Sequence, residues 1–180
     1  MANTIILTVI GSDRPGLVDD LATMVNKHGG NWLESRMTRL SSNFAGIVRV
    51  SVPEANHKAL ESDIQSLGCA NCQLIIEQET KVGSDETLRE LSLEIIGPDH
   101  PGIVQDISHA LAEKKIGINE ISTDCQDGAM SSERIFSAEI NIAIPTSMPV
   151  DSIREQLEEL ANQLFVDITM DDLQGTVTRI

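Results

Sequence analysis

The stretch Gly11-Ser-Asp-Arg-Pro-Gly-Leu-Val-Asp-Asp20 occurs twice in this chain, and that repetition limits the fold more than any other feature. Its second copy, Gly97-Pro-Asp-His-Pro-Gly-Ile-Val-Gln-Asp106, is displaced by 86 residues. Gly, Asp, Pro, Gly, Val and Asp hold the same places in both copies, and Ile103 stands where Leu17 does. Each copy follows an apolar run, Ile5 to Ile10 or Leu91 to Ile96, and leads into apolar residues at helical spacing. In a chain of 180 residues this predicts two small domains.

Chemically, the stretch is a tight turn from a strand into a helix. Asp13 and Asp99 are placed to cap that helix and to complement the positive end of its dipole. Pro15 and Pro101 suit a first helical turn, where a missing N–H costs nothing. Gly16 and Gly102 let a backbone or a small ligand come close. The expected product is a helix N-terminus with outward amides, which is an anion site by default. A single copy would read as a well-capped turn and nothing more. Recurrence of Pro-Gly after the same Asp argues for a shared purpose or a shared ancestry.

The rest of the first half alternates regularly. Leu17, Val18, Leu21, Met24, Val25 and His28 form an apolar helical stripe that Gly29-Gly30 ends. Trp32 to Leu40 and Phe44 to Val52 read as a hairpin closed by Pro53. Ala59, Leu60, Ile64 and Leu67 mark a second helix, and Gln73 to Glu79 a last strand. The second half repeats the order. Its first helix carries Ile103, Val104, Ile107 and Leu111 and is expected to end at Gly117. Glu120 to Cys125 pairs with Phe136 to Ile144, and the stripe Val150, Ile153, Leu157, Leu160, Leu164 precedes a strand from Phe165 to Met170. Phe44 with Pro53 and Phe136 with Pro145 are displaced by 92, so the extra residues fall in the loop 126–133. That loop is read as a solvated hairpin tip.

The predicted fold class is α+β: two tandem ferredoxin-like βαββαβ domains, each a four-stranded antiparallel sheet with two helices on one face. The boundaries expected are 1–80 and 88–180, with the polar stretch 81–87 as linker. Apolar residues make up 41% of the chain but only four are aromatic, so the cores must be aliphatic.

Charge and motifs exclude several functions. Against 28 acidic side chains stand 13 basic ones, a net charge of −15, which opposes binding of DNA or RNA phosphates. No window is apolar enough for a membrane span and no signal peptide opens the chain, so a soluble cytoplasmic protein is expected. Cys69-Ala-Asn-Cys72 has redox or metal spacing, but it precedes the last strand and has no second pair to complete a zinc site. Its cysteines are read as incidental thiols. His28, His57, His100 and His109 show no metal spacing. With no nucleophile–base pair and no phosphate-binding Gly-rich loop, no catalytic residue, metal or cofactor is expected. Arg14 and His100 stand at the same place in the two turns; each is either a donor to a ligand carboxylate or a solvated turn residue.

A βαββαβ unit with Asp-x-Pro-Gly between its first strand and helix resembles the ACT domain, a family of small-molecule-sensing modules. Two such units with no catalytic or DNA-binding domain, together with Asn31-Trp-Leu-Glu-Ser-Arg-Met37, resemble the glycine cleavage system transcriptional repressor family. The resemblance implies a non-enzymatic regulator that senses a small amino acid, glycine favoured, and contacts a LysR-type transcriptional activator rather than DNA. A free-standing allosteric subunit of a metabolic enzyme is the alternative it leaves. It also implies a ligand between paired domains, against Ser12, Asp13, Arg14, Pro15, Gly16 and Asn31 in the first half. The corresponding residues of the second are Pro98, Asp99, His100, Pro101, Gly102 and Asn119. Loop amides would hold the carboxylate and Asp or Asn oxygens the ammonium. Asn31 and Asn119 are displaced by 88 rather than 86. The edges and open faces of such sheets invite a homodimer.

Overall fold

A computed structural model describes residues 2–66, 72–78, 87–128, 133–172 and 176–179. They belong to two compact units, Met1–Gly83 and Ser84–Ile180. Residues 81–86 of the expected linker, Cys69 and the side chain of Cys72 lie outside the described residues.

The first unit runs β1 (Ala2–Ser12), α1 (Leu17–Lys27), β2 (Asn31–Leu40), β3 (Asn43–Pro53), α2 (His57–Ser66) and β4 (Cys72–Gln78). Its sheet is antiparallel in the order β2-β3-β1-β4. The second unit runs β5 (Leu88–Pro98), α3 (Ile103–Glu113), β6 (Gly117–Asp127), β7 (Arg134–Pro145), α4 (Val150–Leu164) and β8 (Asp167–Asp172). Its order is β6-β7-β5-β8, extended by an unexpected fifth strand, β9 (Thr176–Arg179), which pairs antiparallel with β8. Both units are ferredoxin-like α+β folds.

Alternation along the central strands separates two faces. Ile5, Leu7 and Val9 of β1 and Val48, Val50 and Val52 of β3 are buried, and Leu60 and Ile64 of α2 and Val25 of α1 pack with most of them. The second core repeats this in larger aliphatics: Leu91, Leu93, Ile95, Ile140, Ile142 and Ile144 under Ile107 and Leu157. Within α1, Val18 departs from the expected stripe; it is exposed, as is its counterpart Val104 in α3.

Strand register aligns the repeat residue by residue. Leu7 faces Val48 and Leu93 faces Ile140, so the displacement is 86 in the first strand and 92 in the third. Both hairpins carry a β-bulge at the same place, between Trp32 and Glu34 and between Ile118 and Glu120. Asn31 therefore corresponds to Gly117, and Asn119 to Leu33. The two asparagines are not equivalent.

Two local expectations are corrected. Helix α3 ends before Gly117: its left-handed residue is Lys115, φ 59°, at the place Gly29, φ 68°, holds after α1. The same bonds close both ends, Gly29 N–H to Asn26 and Gly30 N–H to Val25 in one, Lys115 to Ala112 and Ile116 to Leu111 in the other. Nor do Asp13 and Asp99 cap their helices. Gly16 and Gly102 hold the cap positions, with no side-chain cap bond.

Candidate functional site

The repeated turn owes its sequence to backbone geometry. Gly16 has φ 86°, ψ −2° and Gly102 φ 99°, ψ −9°. The Leu17 N–H donates to the Arg14 carbonyl at 3.4 Å, and the Ile103 N–H to the His100 carbonyl at 3.3 Å. Proline second and a left-handed glycine third define a type II turn. Thus Arg14-Pro-Gly-Leu17 and His100-Pro-Gly-Ile103 are type II turns set directly against a helix. The three residues of turn between Asp13 and Leu17 carry the Asp carboxylate away from the helix amides, which is why it does not cap.

That carboxylate turns to the hairpin tip. The Asp13 N–H donates to the Ser42 carbonyl and the Asp99 N–H to the Arg134 carbonyl, both at 2.9 Å. Arg39 Nη1 lies 3.6 Å from Asp13 Oδ2, and Arg134 Nη1 3.7 Å from Asp99 Oδ2. Arg14 pairs with Asp20 of α1 at 2.5 Å, whereas the His100 Nδ1 lies 3.3 Å from the carbonyl of its neighbour Pro101. Asp20 and Asp106 donate their N–H groups to Gly16 and Gly102. The amides of Val18 and Asp19, and of Val104 and Gln105, are then the ones a helix start leaves without a main-chain acceptor. All four residues are exposed.

Beside the second turn sits Cys125, half-buried on β6. Burial raises its thiol pKa, the negative charge of Asp99 raises it further, and Arg134 works in the opposite direction. Sequence reading missed Arg39, Arg134 and Cys125, since nothing in their spacing ties them to the turn.

The candidate residues do not all come together. Ser12, Asp13, Arg14, Pro15 and Gly16 cluster at one end of the first sheet. Asn31 pairs with Ser51, which pairs with Thr4, eight residues back along β1 from Ser12. At about 3.3 Å per residue that is roughly 26 Å away. Asn31 lies instead in a groove of about 330 Å³ between α1 and β2, with Val18, Ala22, Val25, Asn26, Gly30 and Trp32. In the second unit Pro98, Asp99, His100, Pro101 and Gly102 likewise share one end, and the exposed bulge residue Asn119 belongs to the other.

No polar or charged residue is fully buried among the described residues, and none of their His, Cys, Asp and Glu groups could hold a metal ion. No described helix is long and apolar enough to cross a membrane.

The ACT domain family model matches residues 3–75. No curated protein sequence matches the chain significantly. Among solved structures, an unknown protein from Galdieria sulphuraria is similar at 27% identity and a TM-score of 0.85, over 96% of this chain and 99% of that one. A structure provisionally assigned as a glycine cleavage system transcriptional repressor is similar at 17% identity and a TM-score of 0.70, over 95% and 97% of the two chains. Residues 3–75 thus match the ACT domain, and the second unit repeats the ferredoxin-like fold of the first.

Proposed function

We propose that this chain is a non-enzymatic regulator that senses a small amino acid, glycine favoured, and represses glycine cleavage genes through contact with a LysR-type transcriptional activator. The observation that carries the reading is the duplicated type II turn, which in both units presents helix-start amides on one side and an aspartate on its hairpin side. Amides of that kind suit a carboxylate and the aspartate an ammonium, which together describe the backbone of a free amino acid. Likeness of fold to the provisionally assigned repressor over nearly the whole chain supports the same reading. The net charge of −15 favours a protein partner over nucleic acid.

The distance between Asn31 and the turn shapes the mechanism. A ligand held by both must draw them from two different ACT domains, so its binding favours one domain pairing over others. A ligand that prefers one arrangement shifts the population toward it and alters the surface a partner sees.

Thermal unfolding against a panel of millimolar amino acids tests this. A ligand at about 100 times its Kd stabilises by roughly 2.7 kcal/mol, a shift of several degrees. The expected result is a shift with glycine that Asp13→Ala or Asp99→Ala abolishes. No shift with any amino acid sinks the sensor reading.

A further inference from the structure

The two halves of the repeat diverge most on the sheet faces turned away from the helices. On the first sheet Glu34 lies 3.5 Å from Arg36 and 3.6 Å from Arg49, and Thr8 stands opposite Ile47. By register the second sheet has Ser122 in place of Arg36 and Asn141 in place of Arg49. It has Glu94 in place of Thr8 and Glu139 in place of Ile47. Two cations are lost and two carboxylates gained. Glu120, the counterpart of Glu34, keeps only a neutral donor on this face, the Asn141 amide at 3.4 Å.

Glu94 and Glu139 stand directly opposite one another on neighbouring strands, where like charges repel. Glu90, Glu120, Asp124 and Asp167 are exposed on the same face. None of these six carboxylates has an ion-pair partner among the described residues. Asp171 shares the face by register, and its Oδ1 is shut off from solvent with no hydrogen-bond partner. At the centre is a hollow of about 270 Å³, lined by Glu94, Asp124, Glu139, Ser122 and Ser137 among others. A solvated face needs polar groups, but it does not need unpaired carboxylates set against each other. Residues 1–83 hold nine acidic and seven basic side chains and residues 84–180 nineteen and six, so −13 of the −15 net charge lies in the second unit.

We propose, resting on the regulatory reading only for the partner being a protein, that the outer face of the second sheet docks a basic segment of that partner. Its Lys or Arg side chains enter the hollow between Glu94 and Glu139. Charge selects the occupant. Nucleic acid and a second copy of this acidic unit are both repelled. A metal ion is not accommodated, since no described group of His, Cys, Asp and Glu side chains could hold one. An extended segment with a basic residue at every second position places its charges about 6.6–7 Å apart on one side, the spacing at which a strand presents Glu94 and its outward neighbours. Contact with such a segment supplies the cations that the second sheet lost and relieves the repulsion between Glu94 and Glu139. The first sheet, whose glutamate is already paired, offers no such vacancy for a cation.

Calorimetric titration of the full chain with a short peptide of alternating Arg and Ser, in about 50 mM salt where screening is weak, reads the outcome. The wild type is expected to bind the peptide, and the double variant Glu94→Gln, Glu139→Gln to bind it about fivefold more weakly. Glu155→Gln, Glu159→Gln removes the same two charges from the exposed side of α4 and should change the Kd less than twofold. The melting temperature of the first double variant should rise, since a repelling pair is removed, and this also shows that it folds. Absence of binding up to about 1 mM peptide overturns the proposal. Equal weakening by the two double variants overturns it as well, because net charge rather than this face then attracts the peptide. The titration contains no free amino acid, so its failure leaves the glycine-dependent melting shift standing, and a missing glycine shift leaves the peptide result standing.

Discussion

Arg39 and Cys125 occupy the same position of the repeat: each stands on the second strand of its unit, opposite a phenylalanine, Phe44 for one and Phe136 for the other. In the first unit Arg39 holds the motif carboxylate, Asp13. Its replacement by cysteine in the second unit would leave Asp99 without a cation. Arg134, from the neighbouring strand β7, supplies one instead. The ion pair is kept while its source moves across the hairpin, and the thiol left behind senses both charges.

Cys125 therefore reports on the second turn. With Cys69 and Cys72 replaced by Ser, the alkylation rate of Cys125 is measured against pH. A raised thiol pKa means less thiolate at pH 8 and slow alkylation. Asp99→Asn removes a negative neighbour, lowers the pKa and speeds the reaction; Arg134→Gln does the reverse. Because burial is the largest cause, Asp99→Asn does not restore the ordinary value. Equal effects from the two variants would refute this account.

Gly16 and Gly102 are required for conformation rather than space. A Cβ at Gly16 meets nothing within 4 Å, and at Gly102 only the Asp106 carboxylate at 3.9 Å. Alanine at either place should still cost about 1–2 kcal/mol, through its left-handed φ. Asparagine, which tolerates that region, should recover part of the loss. Urea unfolding of the four variants measures it, and equal costs for Ala and Asn would contradict the φ explanation.

Lys115 offers the converse. It occupies the left-handed position after α3 that glycine fills after α1. Lys115→Gly relieves about 1 kcal/mol of backbone strain and gives back part of it as chain entropy, for a net gain of roughly 0.5 kcal/mol. Gly29→Lys should destabilise. Chemical denaturation checks both signs.

A third local device belongs to the first unit. Asp63 of α2 accepts from Lys27 at 2.7 Å and from His28 at 2.9 Å, across from the end of α1. These hydrogen bonds, Lys27 first, hold its carboxyl below the ordinary value despite some opposing desolvation. A lowered folded pKa contributes stability that is present above the unfolded value, about 3.9, and lost as pH falls through the folded one. Asp63→Asn should lower the melting temperature modestly at pH 6 and by progressively less towards pH 3. A gap between wild type and variant that widens in acid would exclude this linkage.

What the chain determined by itself is local and periodic. Val48, Val50 and Val52, or Leu91, Leu93 and Ile95, alternate because each faces a core on one side only, and period 2 is visible in any strand of that kind. The duplicated turn was equally legible, since Pro-Gly at fixed spacing is its own cause. Tertiary structure decided which groups meet. It placed Asn31 and Ser12 at opposite ends of one sheet, aimed Asp13 and Asp99 at hairpin arginines, and revealed β9, whose four residues carry too short a pattern to declare a strand. It also set Glu94 opposite Glu139, 45 residues along the chain. Such pairings depend on strand register between distant segments. Register is fixed by burying whole faces at once, so no single residue's neighbours along the chain encode it.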